Sequence, residues 1–490
     1  LRKKLRIILW SLIIFILLVL AIPLKSNAEG HTFKKLNNSG IEGMKIVNFP
    51  DKNLETAIRK AINKPNGEIY VSDVDSIEEL VLNNKKISNL EGIQYLTGLR
   101  KLNLSFNDIK DINQLSSLKN LQFLNLGYNK ISDISPLENL INLTELSLES
   151  NKIIDIEILR KLVDLDSLSL DYNQVSDLRP LSTLVKLKNL NLYMNRIMDI
   201  NPLSNMINLE SLSLGMNQIS NIDAIKSLIN LKTLELDENN ISDIKSLSEL
   251  NKLKDLYIYE NQIIDISPLS SLKNLEHLEL SNNKISDVRE LRSLENLKQL
   301  NIANNELKDV KGLGLLKNLE SLRLSYNQIN NIDELVLLNN LKILYVNNNQ
   351  IRDIKGLDKL KNLMYVDISH NQISDISPLR MIDKLALTNI DLSDNPLPEY
   401  VFDDQLYQKF LLSMLYPYIV KEVEKYYGEF REFMNDGVIG IESTDNGLKI
   451  KVIIETFVGP HNPPFGLDTI TFIDSFPEIK VVDFNHQDVK

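Results

Sequence analysis

Chemistry in this 490-residue chain would centre on His461, set in the run GPHNPPFG (Gly459–Gly466). An imidazole titrates near neutrality and can act as a general base, and Glu455, Asp468 and His486 stand close in sequence. No nucleophile motif and no metal-ligand spacing accompanies it, and prolines and glycines account for the run as a rigid connection between strands. No catalytic residue is therefore expected. His277 stands beside Glu276 and near Glu279, but the first neighbour on a strand points to the opposite face, so a solvated histidine is expected there. Cysteine is absent, which excludes disulfides, thiolate metal sites and a cysteine nucleophile. Aspartate recurs at 111, 133, 155, 177, 199, 243, 265, 287, 309, 353 and 375, with Asn221 and Asn331 in the same series. Such a row suggests cation ligands. The simpler reading is that each short side chain caps the brief helical turn that follows, as in DISPL at 133 and 265, so neither metal nor cofactor is expected.

A 22-residue step organises most of the chain. Asparagine falls at 107, 129, 151, 173, 195, 217, 239, 261, 283, 305, 327, 349 and 371, each within L-x-x-L-x-L-x-x-N-x-[ILV], for example Leu121, Leu124, Leu126, Asn129 and Ile131. An imperfect first copy holds Leu80, Leu82 and Lys85, and a last copy 24 residues on holds Ile390, Leu392 and Asn395, making 15 units. This is a leucine-rich repeat, whose units bury their apolar side only by stacking. The L-x-L core alternates with period two, which predicts a short strand with leucines inward, and neighbouring copies predict a parallel sheet. After the strand the chain turns inside an apolar interior, where an unpaired backbone group costs about 1–3 kcal/mol. An amide both donates and accepts, so the asparagines predict a structural ladder between adjacent turns. The expected fold class is an α/β solenoid: a horseshoe of about 15 coils with concave strands and convex turns, followed by a small α+β domain.

The remaining segments are placed by composition. Residues 1–28 carry LRKKLR, an apolar run from Ile7 to Leu24, and Ser26 and Ala28 before a cut at Glu29, the pattern of an export signal. That run reaches the lower limit for spanning a bilayer, so an uncleaved anchor is the alternative, and membrane contact is expected only through it. Residues 29–47 form a polar leader and 48–76 a helical cap, in which Asp51 precedes Leu54, Ala57, Ile58, Ala61 and Ile62 on one helical face, with Gly67 as the stop. The repeats occupy 77–398. Over 399–490, Asp403 and Asp404 open a helix interrupted or kinked near Pro417 and ended by Gly428. Strands follow in GIES, LKIKVIIETF, LDTITFID and EIKVVDF, with a turn at DNG.

The stretch LEGIQYLTGLRKLNLSFNDIKDI (Leu90–Ile112), with the preceding helix, resembles the internalin-type secreted leucine-rich repeat proteins of Gram-positive bacteria. The resemblance spans roughly residues 48–398 and implies a recognition scaffold, often an adhesin that binds a host protein on its concave face. LLSMLYPYIVKEVEKYYG and FVGPHNPPFGLDTITF resemble an uncharacterised domain of Gram-positive secreted proteins, which implies architecture without chemistry.

The formal charge is −11, and because residues 1–28 hold five bases and no acid, the remainder carries −16. An acidic surface repels phosphate backbones, so a nucleic-acid partner is not expected. The residue before each ladder asparagine runs Phe106, Tyr128, Ser150, Tyr172, Met194, Met216 and then Glu238, Glu260, Asn282 and Asn304. Outward strand positions add Phe123, Tyr193, Tyr257, Tyr259, Tyr345 and Tyr365 among Glu145, Glu149, Asp171, Glu235, Asp237, Asp255 and Glu279. Tyrosines ringed by carboxylates suit a protein-binding surface. The expected contacts are Phe106, Tyr128, Tyr172, Tyr193, Met194, Met216, Glu235, Asp237, Tyr257, Tyr259, Tyr345 and Tyr365. The face extends about 60 Å along the stack, suiting a protein or other extended macromolecule. The expected function is an exported, non-enzymatic recognition scaffold. The alternative is a secreted enzyme whose C-terminal domain acts on what the repeats recruit.

Overall fold

Leu146 and Leu148 are buried while Glu145, Ser147 and Glu149 are not, the alternation a one-sided strand requires. The computed structural model repeats this arrangement along the chain and describes residues 44–381, 390–397, 405–427, 432–444, 447–457, 466–475 and 478–487. The expected signal segment, the leader up to residue 43, Asp403, Asp404, Gly428, Asp445, Asn446 and His461 with most of its loop lie outside the described residues.

Fifteen strands, from β1 (Glu79–Val81) to β15 (Ile390–Asp391), form one sheet in sequence order. They pair parallel with a register that repeats the 22-residue step, Leu124 opposite Leu146 opposite Leu168 opposite Leu190. Among the described residues, every connection between successive strands carries a 3-10 helix of three to five residues and no α-helix. The leucines and isoleucines of all the coils join in one core running from Val47 to Leu392. Successive strands stand only about 4.8 Å apart, and a 3-10 turn with its side chains is bulkier than that, so the turns take the longer outer arc and the strands lie on the inner side.

The asparagine ladder is present from Asn107 to Asn395, the first coil having Lys85 in that slot. Asn195 donates to Leu170 O at 3.0 Å in the preceding coil and to Leu192 O at 3.1 Å in its own, while its Oδ1 accepts from Val175 N at 2.9 Å. Asn239 repeats this with Leu214 O, Leu236 O and Ile219 N. The aspartate series also acts as read: Asp133 Oδ1 accepts from Ser135 N and Asp265 Oδ1 from Ser267 N, each at the start of a 3-10 turn. A second, solvent-facing ladder escaped the sequence reading, in which Asn142 donates to Lys119 O, Asn208 to Val185 O and Asn230 to Ile207 O. Where Asp164 and Lys186 interrupt that series, they pair with each other at 2.6 Å.

Helix α1 (Lys52–Ala61) adds Leu54 and Ile58 to the repeat core. Asp51 caps it through Oδ1, taking Asn53 N at 2.9 Å and Leu54 N at 3.1 Å, and its Oδ2 accepts from Ser88 N and Asn89 N of the first coil. The short α2 (Val71–Val74) follows. Gly92 then has φ of +101°, and a Cβ there would meet Asn48 O at 2.7 Å and the Phe49 ring at 2.6 Å. Only glycine supplies both the left-handed backbone and the clearance.

The C-terminal region comprises α3 (Gln405–Tyr427) and the antiparallel meander β16 (Glu432–Thr444), β17 (Gly447–Phe457), β18 (Gly466–Ser475) and β19 (Glu478–Gln487). Leu412, Leu415, Ile419 and Val423 of the helix pack on Ile450, Val452, Ile454, Ile470 and Phe472. Pro417 was expected to interrupt or kink this helix; it does not interrupt it, since the helix runs through it with the proline exposed.

Candidate recognition face

The outward positions of each coil lie six, four and two residues before its ladder asparagine, with a rim position directly before it. That rim residue is left-handed in every coil: φ is +57° at Phe106, +56° at Tyr128, +54° at Tyr172, +53° at Met194, +52° at Met216 and +51° at Glu238. For a residue with a side chain this backbone costs about 1–2 kcal/mol. The rim N–H is engaged by the next coil, Tyr128 N donating to Glu149 O at 2.8 Å, and the turn delivers the adjacent asparagine into the core.

The rim aromatics stack along the solenoid. Phe106 and Tyr128 lie 4.2 Å apart at 8° between ring planes, and Phe106 remains 49% exposed. Met194 is exposed and Met216 half-buried. Tyr172 meets Tyr193 at 5.8 Å, which joins the rim to the strand positions. From there Tyr193, Glu235, Asp237, Tyr257 and Tyr259 form one neighbourhood across adjacent coils. Tyr345 and Tyr365, 4.8 Å apart, form a separate pair with the Arg323 guanidinium 4.9 Å above the Tyr345 ring. The twelve expected contacts therefore divide into a rim stack, a central tyrosine–carboxylate cluster and a distal aromatic pair.

The carboxyls of the centre are perturbed by their burial. Asp237 is 3% exposed, and burial, with Glu235 and then Glu238 nearby, pushes its carboxyl up to about 7. Burial and the Asp171 charge push Glu149 up to about 7, and burial, with Glu235 nearby, pushes Asp171 up to about 6. Glu235 is raised by burial while Ser213 Oγ donates to its Oε2 at 2.7 Å, and burial likewise raises Glu279. Burial and the surrounding carboxylates raise the Tyr193 and Tyr259 phenols, and Tyr257 is pushed up to about 12 by burial and then Asp255. His277 pairs through Nδ1 with Asp255 on the neighbouring strand, rather than standing solvated as expected.

Glycines explain how these carboxyls lie down on the sheet. A Cβ at Gly215 would meet Asp237 Oδ1 at 2.7 Å, Asp237 Oδ2 at 2.8 Å and Tyr193 Cε2 at 2.7 Å. One at Gly127 would meet Glu149 Cγ at 2.6 Å and Oε1 at 2.9 Å. In both cases the glycine stands 22 residues before the acid that leans over it. That spacing was the available signal for Glu149 and for the part played by the glycines.

Among the described residues no group of three or more His, Cys, Asp or Glu side chains is arranged to hold a metal ion. His486 lies tilted against Tyr426 at 5.6 Å, and Asp468 is its register partner across β18 and β19. No described helix is long and apolar enough to cross a membrane.

Family models decide the class, since eleven overlapping windows between residues 97 and 381 match the one described as "Leucine Rich repeats (2 copies)". The chain belongs to the leucine-rich repeat family. Residues 407–488 match a family described as a protein of unknown function, DUF3888. Among solved structures, an internalin (InlF) from Listeria monocytogenes is 38% identical, with a TM-score of 0.63, covering 65% of this chain and 95% of the internalin. A leucine-rich repeat protein of Leptospira interrogans is 25% identical, with a TM-score of 0.59, covering 67% of this chain and 93% of that one. No curated protein matches. The internalin-like solenoid is thus established, and it is the fold of a protein-binding scaffold.

Proposed function

We propose that this leucine-rich repeat protein is an exported, non-enzymatic recognition scaffold that binds a protein or other extended macromolecule on its concave face. The observation that carries this reading is the central cluster: Tyr193, Tyr257 and Tyr259 are half-buried around Glu235 and Asp237 on the sheet's outward side, where solvation alone calls for small polar residues. Most neighbouring coils hold such residues, Ser167 and Ser169 or Ser211 and Ser213. The likeness to an internalin supports a scaffold role, and the LRKKLR and apolar run at the N-terminus supports export. Within this reading the repeats at 77–398 are the binding module, residues 48–76 close its first coil, and residues 399–490 are a separate spacer or second contact.

Site-specific photo-cross-linking tests it. A cross-linkable side chain at position 257 of the full chain, exported by its own cells, is expected to capture a discrete macromolecule. The same group at Lys226 on the convex side is expected to capture none. A rival surface exists in Ile141, Val163, Val185, Ile207 and Ile229, exposed aliphatics on the turns preceding five successive strands. Capture from position 207 and not from 257 would overturn the concave reading. Intact mass of the exported product is expected to place its N-terminus at Glu29; a product that retains the Ile7–Leu24 run would replace secretion by tethering.

A further inference from the structure

Elsewhere on this solenoid, acids and bases neutralise each other across adjacent coils. Lys101 pairs with Glu79, Lys188 with Asp166, Lys232 with Glu210 and Lys342 with Glu320, and Glu276 is held between Lys254 and Lys298. On the concave face from Glu149 to Ser281 that pairing is withheld. The outward strand positions there carry Glu149, Asp171, Glu235, Asp237, Asp255 and Glu279 and not one lysine or arginine. What compensation there is lies at one end, where His277 pairs with Asp255 and the Arg323 charge favours ionisation of Glu279.

A row of acids alone proves nothing, but two further observations point outward to a ligand. Asp237 is 3% exposed, and although Tyr259 offers its hydroxyl to the carboxyl, Asp237 Oδ2 is a buried atom without a hydrogen-bond partner. It leans over Gly215 beside the Tyr193 ring, where the sheet carries no side chain of its own. An unpaired buried oxygen of this kind is expensive to maintain unless something answers it. The second observation is internal. Arg323, further along the same face, already lies over the Tyr345 ring at 4.9 Å, so the scaffold presents tyrosines in a geometry that accepts a guanidinium.

We propose that the segment recognised on this face is cationic: an extended stretch of a protein partner carrying lysine or arginine side chains, laid along the coils from Glu149 to Glu279 across Asp237. This rests on the recognition reading above and specifies its partner chemistry. Six coil-to-coil steps of about 4.8 Å span roughly 29 Å, which an extended chain crosses in about nine residues. Cationic heads meet the carboxylates, and their aliphatic stems and the guanidinium planes lie on Tyr193, Tyr257 and Tyr259. Binding also moves protons. Asp237 faces Tyr172, Tyr193, Glu235, Glu238 and Tyr259, Glu149 faces Tyr128, Tyr172 and Asp171, and Asp171 faces Tyr128, Ser169, Tyr172 and Glu235, so these neighbours bring no positive charge to favour ionisation. A cation supplies that charge and expels the protons these carboxyls retain near neutrality.

Decalysine is the probe, titrated calorimetrically into the full chain at pH 6.5 in two buffers of different ionisation enthalpy. Saturable binding with net proton release is expected, weakening at least tenfold in Glu235→Gln/Asp237→Asn. Glu290→Gln/Glu295→Gln, an equal charge change on the outer side, is expected to leave affinity within twofold. Equal weakening by both pairs, or binding without proton release, would reduce the effect to the general negative charge of the chain and overturn the proposal. If position 257 still cross-links a partner while decalysine neither binds nor competes, the cationic segment is wrong and the recognition face stands. If cross-linking at 257 also fails, the recognition reading falls with it.

Discussion

Replacing Asn195 by alanine tests the physical basis of the solenoid at one atom. Asn195 donates to Leu170 O, Leu192 O and Tyr193 O, but each of those carbonyls keeps another donor: Asn173 Nδ2 on Leu170 O at 3.0 Å, Asn217 Nδ2 on Leu192 O at 3.0 Å, and Tyr172 N on Tyr193 O at 2.9 Å. The group left with nothing is the N–H of Val175, a fully buried residue whose amide donates to Asn195 Oδ1 at 2.9 Å. One orphaned buried donor costs about 1–3 kcal/mol, and the weakened shared bonds bring the expected loss to roughly 2–4 kcal/mol. Urea unfolding followed by circular dichroism reads the total, and amide hydrogen exchange locates it, with protection lost first at Val175. Asn195→Asp separates the two roles of the amide. It keeps an acceptor for Val175 but aims a carboxylate at three carbonyl oxygens, so it should be worse than alanine at pH 7 and recover in acid as the carboxyl becomes a donor. If Val175 stays protected in Asn195→Ala and stability falls by less than about 0.5 kcal/mol, the ladder is not what holds the turns together.

Asp237→Asn should alter the pH dependence of stability: the folded carboxyl titrates at about 7, above the ordinary 3.8, so folding takes up a proton and wild-type stability falls as pH rises through that window. Urea unfolding at pH 5 and pH 8 is expected to show a drop of about 2–3 kcal/mol from this group, absent in the asparagine variant; an unchanged drop would mean the carboxyl is not the source. Gly92→Ala combines a left-handed φ with a backbone clash on Asn48 O, and a loss of roughly 2–4 kcal/mol in thermal unfolding is expected, whereas Gly67→Ala, with nothing near its Cβ, should lose about 1 kcal/mol. Asp51→Ala uncaps α1 and frees Ser88 and Asn89 at once, so hydrogen exchange should rise in both the helix and the first coil, with about 1–3 kcal/mol lost. Burial opposes the Asp51 charge, but its four backbone N–H donors hold the carboxyl below its ordinary value, so that contribution disappears as the pH falls through the acid range.

The repeat was readable because each structural role recurs at a fixed residue type. Leu124 and Leu126 must be apolar, Asn129 must donate and accept, and Asp133 must offer a short acceptor, so period and chemistry coincide. The left-handed rim was unreadable for the opposite reason. Phe106, Tyr172, Met194 and Glu238 share no property that favours positive φ, and the conformation is imposed by the ladder beneath them rather than chosen locally. The twelve expected contacts were drawn from outward positions, yet how they group depends on neighbours 22 or 44 residues away, as with Tyr193 and Asp237 leaning over Gly215 from opposite coils. Pro417 signals either a break or a kink, and the break does not occur because the exposed ring forfeits a single backbone bond and the helix continues.

The scaffold divides its labour in a way that bears on where function sits. Inward leucines, ladder asparagines and turn aspartates recur almost unchanged from coil to coil, and the outward positions are free to vary without disturbing them. A solenoid selected for stability alone would fill those positions with serine, asparagine or paired charges, as its outer edges do with Lys186 on Asp164 and Lys298 on Glu276. Instead glycines at 127 and 215 clear space for Glu149 to lie half-buried and Asp237 buried against the sheet. Each such carboxyl is harder to ionise than it would be in solvent, and clustering several compounds that penalty. A departure that lowers stability, is built by paired substitutions one coil apart, and is confined to one stretch of one face has no structural purpose within the free chain. On the proposal above, a positive charge brought by a partner relieves that penalty, so the central coils, rather than the rim stack of Phe106 and Tyr128, are where docking is expected to gain most.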